Sequence, residues 1–166
     1  MAKDKKTILS VWVEDKAGVL WHVSQLFGEH NCNIASLTVG GTEKPGVSRM
    51  TIIVNGEEQS VDTVIAKLNR ITSLIKIKRI DDEESVLMEL GLIMVDAPDD
   101  RKTDIINIVN VFRARIVDVA GCSMTIAITG NPVKIQALID LLRPFGILEI
   151  VRTGAVAIDR GKKPCE

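Results

Sequence analysis

The stretch Leu9-Ser10-Val11-Trp12-Val13-Glu14-Asp15-Lys16-Ala17-Gly18-Val19-Leu20 decides the fold, because two periodicities meet inside it. Leu9, Val11 and Val13 alternate with Ser10, Trp12 and Glu14, which is the period of a half-buried strand. From Ala17 to about His30 the pattern turns helical: Leu20, Val23 and Phe27 share one face, with Val19 and Leu26 beside them. Glu14 to Leu20 is therefore a strand-to-helix turn. Asp15 is placed to cap the free N–H groups of the first helical turn, and Gly18 lacks a side chain that would keep a small molecule off that backbone. The helix dipole and the exposed donors favour an anion there, such as the carboxylate of an amino acid. Asp and Gly also serve simply to make such turns, so the rest of the chain has to decide.

Working outward, the next residues repeat the same grammar. A strand is expected over Ile34 to Val39, ending at Gly40-Gly41, and another over Ser48 to Val54, closed by Asn55-Gly56. Val61, Val64, Ile65, Leu68 and Ile71 mark a second helix face, and a fourth strand runs from Ser73 to Ile80. The order is βαββαβ. After the acidic run Asp81-Asp82-Glu83-Glu84, which reads as a solvated linker, the order repeats. Leu90 to Val95 is a strand, Ile105, Ile108, Val109 and Phe112 mark a helix, Arg115 to Val119 and Met124 to Thr129 are strands, Val133 to Phe145 is a helix, and Ile147 to Val151 is a strand that Ala155 to Ile158 extends after a break at Gly154.

The fold class is thus α+β: two ferredoxin-like βαββαβ units, each an antiparallel sheet with its helices on one face. The division is residues 1–80, an acidic linker at 81–86, and residues 87–166. The sheet face without helices carries Ile8, Trp12, Thr38, Arg49 and Ile53 in the first copy, and Trp21 lies on the outward side of the first helix.

Composition narrows the function. A net charge of -1 and an aromatic content of 3% with no Tyr argue against a nucleic-acid partner. No apolar run approaches membrane-spanning length and Met1 to Lys6 is no signal peptide, so a cytoplasmic, non-membrane protein is expected. Cys32 and Cys122 read as small strand residues and Cys165 as a thiol on a polar tail, with no metal-ligand spacing. His22 and His30, the two histidines, sit on one helix as exposed or capping groups, and no phosphate loop, HExxH or GxSxG is present. No catalytic residue and no metal site is assigned.

These features resemble a known family. The first copy is similar to an ACT domain, the amino-acid-binding regulatory module, and the whole chain resembles the regulatory (small) subunit of acetohydroxyacid synthase, also called acetolactate synthase. The resemblance rests on Ile8-Leu9-Ser10-Val11, the turn Asp15 to Leu20 with Leu26-Phe27, Asn33-Ile34-Ala35-Ser36-Leu37-Thr38-Val39 and Ser48-Arg49-Met50-Thr51-Ile52. In the second half it rests on Phe112-Arg113, Ile116-Val117-Asp118-Val119 and Arg152-Thr153-Gly154. It implies a subunit with no catalysis of its own that activates a separate catalytic subunit holding thiamine diphosphate, a flavin (FAD) and magnesium. It further implies feedback inhibition by valine in branched-chain amino acid biosynthesis, with leucine and isoleucine as the related ligands, and a homodimer in which ACT domains pair side by side. By the same resemblance Asp15, Gly18, Val19 and Leu20 hold the amino acid's polar end, while Asn33 and Ile34 reach it from the paired subunit. Asp15 stands where several family members have Asn, which keeps an acceptor for the ammonium group and loses an amide donor. The alternative of another class is an amino-acid-sensing ACT-domain transcriptional regulator, against which stands the lack of a helix-turn-helix or basic patch.

Overall fold

The alternation around Val11 forms strand β1 (Lys5–Glu14) in the computed structural model of the chain, which describes residues 5–161. It is followed by α1 (Val19–Glu29), β2 (Asn33–Gly41), β3 (Val47–Gly56), α2 (Glu58–Leu68) and β4 (Leu74–Ile80). The strands order β2-β3-β1-β4 with antiparallel neighbours, as the ferredoxin-like reading requires. β1 and β3 pair so that Leu9 faces Ile52 and Val11 faces Met50, which puts the apolar set of both strands on the helix side. There Leu9, Val11, Ile52, Val54, Phe27, Val61, Val64 and Leu68 pack as one core, all fully or nearly fully buried.

The helix that begins this layer departs from expectation at its start. It opens at Val19 with Gly18 as N-cap, so its buried stripe is Val19, Val23 and Phe27, and Leu20 is turned outward at 44% exposure. Asp15 does not cap: it lies three residues before the N-cap, beyond side-chain reach of the first helical N–H groups, and no side chain fills that role. The helix ends at a left-handed residue, Asn31 (φ 53), with the Cys32 N–H donating to Phe27 O and the Asn31 N–H to Gly28 O. Helix α2 stops at Leu68, short of the expected Ile71, which instead packs on the core from the turn.

The second set of elements is β5 (Ser85–Asp96), α3 (Lys102–Val111), β6 (Arg115–Val119), β7 (Ser123–Gly130), α4 (Pro132–Leu142), a single 3-10 turn at Arg143–Phe145, β8 (Ile147–Arg152) and β9 (Val156–Asp159). Its strands order β6-β7-β5-β8, the same antiparallel plan, with β9 as a fifth strand also paired to β5. Ile93, Val95, Ile126 and Ile128 meet Ile105, Val109, Ile135, Leu138 and Leu142 in a separate core. Pro144 explains why α4 ends as a 3-10 turn and not as the longer helix expected through Phe145.

The molecule divides into two compact units, residues 5–86 with 156–161 and residues 87–155 among those described. Strand β9 groups with the first unit although it is hydrogen-bonded to β5, whereas the linear division placed residues 87–166 together, and β5 begins at Ser85, inside the expected linker. Ile8 and Ile53, expected on an uncovered face, are 4% and 3% exposed. Cys32 is buried just before β2, and burial pushes its thiol pKa up; Cys122 lies exposed in the turn before β7, so neither cysteine is within a strand. Cys165 and Met1 to Asp4 lie outside the described residues. Trp21, as expected, faces outward, at 62% exposure.

Candidate functional site

The β1–α1 turn is built from both sides. The Glu14 N–H donates to Ser73 O at 2.9 Å and the Asp15 N–H to Gly46 O at 2.9 Å, which ties the turn to its neighbouring loops. Gly18 sits at φ +85, a conformation that costs an L side chain roughly 1–2 kcal/mol. A Cβ built on Gly18 would meet nothing within 4 Å, so packing within the chain does not demand glycine there; the backbone angle does, and the space beside it is open. The first helical donor is His22, whose N–H reaches Gly18 O at 3.1 Å. The Val19 N–H turns to Lys16 O at 3.4 Å, so of the three amides expected to face a carboxylate, Gly18 and Leu20 are the ones that stand free of that contact.

Side chains around the turn divide the labour. Asp15 is exposed beside it, Val19 is buried into the core, and Leu20 projects outward as an apolar wall. The Lys16 ammonium, 2.9 Å from Glu14, holds the Glu14 carboxyl below the usual range chiefly by hydrogen bonding, with its charge adding to the effect. This puts one carboxylate of the turn in an ion pair, and Asp15 is the turn's other carboxylate. Trp21 and His22 stack edge to face, 4.8 Å between ring centres, on the exposed side of α1.

Asn33 and Ile34 are not part of this cluster within one chain. Asn33 pairs with Asn55, which pairs with Lys6, at the far end of the sheet from Glu14. The separation along β1 is about 27 Å at about 3.4 Å per residue. Asn33 instead lines a polar depression of about 440 Å³ with Asn31, Asn55, Gly56, Glu57 and Ser60. Of the last four, the sequence marked Asn55-Gly56 only as the end of a strand and gave none a role in a site, because a depression at the sheet end depends on strand pairing that periodicity does not reveal.

The two edges of the first sheet differ in chemistry. Edge strand β4 carries Lys76, Lys78 and Arg79, the charged residues that natural sheets use to prevent edge pairing. Edge strand β2, Asn-Ile-Ala-Ser-Leu-Thr-Val-Gly-Gly, carries no charge at all. Among the described residues no three His, Cys, Asp or Glu side chains converge as metal ligands, and no helix is long and apolar enough to cross a membrane.

A βαββαβ unit with sheet order β2-β3-β1-β4 and a glycine turn after its first strand defines an ACT-type domain, followed here by a second ferredoxin-like unit. Residues 9–76 match the family described as AHAS small subunit-like ACT domain, and residues 88–161 match the family described as small subunit of acetolactate synthase. The chain is 48% identical over 158 residues to the probable acetolactate synthase small subunit of Archaeoglobus fulgidus, covering 95% of this chain and 99% of that one. It is 46% identical to the small subunit of Mycolicibacterium smegmatis over 93% of this chain and 91% of the relative. The crystal structure of the small subunit from Thermotoga maritima superposes with a TM-score of 0.87 at 35% identity, covering 96% of this chain and 99% of that chain. The chain belongs to the family of acetolactate synthase small subunits. These matches do not favour the transcriptional-regulator alternative.

Proposed function

We propose that the chain is a non-catalytic regulatory subunit that activates the catalytic subunit of acetolactate synthase and confers feedback inhibition by valine. The partner, in this reading, holds the thiamine diphosphate, FAD and magnesium, and this chain's residues hold the effector. One observation supports a shared effector site above others: β2 is an uncharged sheet edge whose Gly41 end lies at the same end of the sheet as the glycine turn. The Gly41 end of β2 is level with Ser48, at the same end of the sheet as Glu14 and the glycine turn. Antiparallel pairing of two β2 edges sets the Asn33 end of one copy against the Gly41 end of the other. In this reading the pairing carries Asn33 and Ile34 of one copy to the end of the sheet that bears Asp15, Gly18 and Leu20 of its partner, whereas within one chain they lie at the opposite end.

In that arrangement the Gly18 and Leu20 amides take the effector's carboxylate, Asp15 or Asn33 takes the ammonium group, and Leu20 with Ile34 receives the branched side chain. Discrimination among valine, leucine and isoleucine by pocket size is worth about 1–3 kcal/mol per methylene. The ligand acts by favouring one packing of the dimer, which the catalytic subunit reads, with a coupling of about 1–3 kcal/mol.

Reconstitution with an acetolactate synthase catalytic subunit tests the reading. The chain alone should form no acetolactate, should raise the partner's rate, and should make that rate fall with valine. Gly18→Asp should keep the rise and lose the fall, because it sets a side chain and a negative charge where the carboxylate binds. A rise with no response of the unmodified chain to valine, leucine or isoleucine would remove the effector role; no rise would remove the regulatory role.

A further inference from the structure

The second sheet has one face under its helices and one without them. Ile93 and Ile126 face the helix-side core, so their chain neighbours Leu92, Met94, Thr125 and Ala127 face the other way. Strand pairing gathers this outer face into two rows across four strands. Arg115, Ala127, Leu92 and Val151 form one row, and Asp118, Thr125, Met94 and Glu149 form the other. A bulge at Val117 returns Asp118, three residues after Arg115, to the same face as Arg115. All eight residues belong to the second unit.

The middle of this face is apolar and its margins are charged. Leu92 and Val151 are 37% and 52% exposed, Met94 is half-buried, and Ala127 adds only a methyl group. The ion pairs of the second unit are Lys102 with Asp99, Arg143 with Asp140 and Arg152 with Glu89, which leaves Arg115, Asp118 and Glu149 without one among the described residues. An apolar centre inside a polar rim is the anatomy of a protein contact. A second copy of the chain fits it in one register. A two-fold axis lying across the strands, midway between the rows, sets each row over the other row of the facing copy. Leu92 then meets Met94, Ala127 meets Thr125, Val151 meets Glu149, and Arg115 meets Asp118, each twice. A two-fold axis along the strands instead sets Asp118 against Glu149, like charge against like. Charge therefore selects the first register.

We propose that the outer face of the second sheet is a self-complementary contact between two copies of this chain, with Arg115 and Asp118 setting its register. Sheets stacked face to face stand about 10 Å apart, a gap that Leu92 and Met94 fill at the centre and an arginine side chain spans at the margin. The face is small, with strands about 4.8 Å apart and rows about 7 Å apart. It adds to a larger contact between copies and does not hold a dimer by itself. It is a sheet face in the second unit, distinct from the β2 edge in the first, and it stands whichever amino acid the glycine turn binds.

Cross-linking of the full chain tests it, in a background of Cys122→Ser and Cys165→Ser, with Cys32 buried. Arg115→Cys alone, Asp118→Cys alone and an equimolar refolded mixture of the two are treated with a short bismaleimide. The mixture should give several-fold more covalent dimer than either variant alone, because only there do the two new thiols face each other. Val151 is exposed and stands over Glu149 of the facing copy in this register, so substitutions at Val151 should act by sign. Val151→Asp in both members of the mixture should lower the yield several-fold, and Val151→Lys should raise it. A yield from the mixture no greater than from the single variants, or the same response to both Val151 substitutions, would overturn the proposal.

Discussion

The turns after β1 and after β5 occupy the same place in two copies of one fold, and their chemistry is opposite. The first has Gly18 at φ +85 with open space beside it and no capping side chain. The second runs through Pro98, which has no N–H to offer, and is closed by Lys102, 2.6 Å from Asp99 and 3.1 Å from Gly121 O. Ala97 there is fully buried and donates its N–H to Cys122 O at 2.7 Å. The corresponding edges differ in the same sense: β2 carries no charge, whereas β6 carries Arg115 and Asp118. The fold supplies the position of a ligand turn twice, and residue choice opens it once. That asymmetry is why the first unit, and not the second, is read as the effector unit.

Stability experiments can break this comparison, the largest effect first. Glu89, with a side chain 4% exposed, receives Arg152 Nε and Nη2 on its two carboxylate oxygens at 2.8 and 2.7 Å. The bidentate bond raises the Arg152 pKa above its already high value, so the guanidinium stays charged. Arg152→Ala strands a buried carboxylate and should cost about 3 kcal/mol, read as a lower urea midpoint, whereas Arg49→Met in the first unit, which leaves only Ser10 Oγ and a carbonyl unpaired, should cost less.

The helix ends give a second contrast. Both first helices close on a left-handed residue, Asn31 (φ 53) in one copy and Arg113 (φ 52) in the other. Asn tolerates that region and Arg does not, so Arg113→Gly should stabilise by about 1 kcal/mol and Asn31→Gly by clearly less in the same denaturation assay. At the starts of α2 and α4 the relation reverses. Asn131 accepts from the Lys134 N–H at 2.8 Å, whereas Glu57, with the extended backbone of an N-cap, makes no such bond. Asn131→Ala should cost about 1 kcal/mol, and Glu57→Ser should gain about half that.

The smallest effect concerns charge. Glu14 and Asp99, one in each turn, are held below the usual carboxylate range by hydrogen bonds and charge from Lys16 and Lys102. A carboxylate whose pKa is lowered on folding contributes stability above its ordinary pKa and loses it as pH falls through the lowered one. Both groups are exposed, so the contribution is small and confined to acid pH. Lys16→Met should move the Glu14 titration upward in carbon-detected NMR, leaving Asp99 in place; Lys102→Met should do the converse.

Both sheets and all four helices were legible from the residues, because a strand with one buried face and an amphipathic helix write different periods into the chain. The pattern Leu9, Val11, Val13 and the spacing Val61, Val64, Leu68 leave little choice. What was missed lies where geometry is set by distant partners. The helix begins at Val19 and not two residues earlier, which costs Asp15 its cap and turns Leu20 outward, and nothing local distinguishes the two starts. The alternation in Val156 to Asp159 announces a strand but not its partners, so its seat against Arg49 and Lys78 was invisible. Of the candidate site, the glycine turn was read directly from residues, whereas Asn33 and Ile34 came from family resemblance, and within one chain they lie at the opposite end of the sheet from the turn.

The central claim is that each effector site is shared between two copies, with Gly18 from one and Asn33 from the other. Calorimetric titration of valine into Gly18→Asp alone, Asn33→Ala alone, and an equimolar refolded mixture of the two tests it directly. Neither variant should bind alone, and the mixture should regain one site in each mixed dimer, since one of its two turns then has both Gly18 and a partner Asn33. No recovery in the mixture, with mixed dimers verified, would show that Gly18 and Asn33 do not complete one site between two copies and would contradict the account.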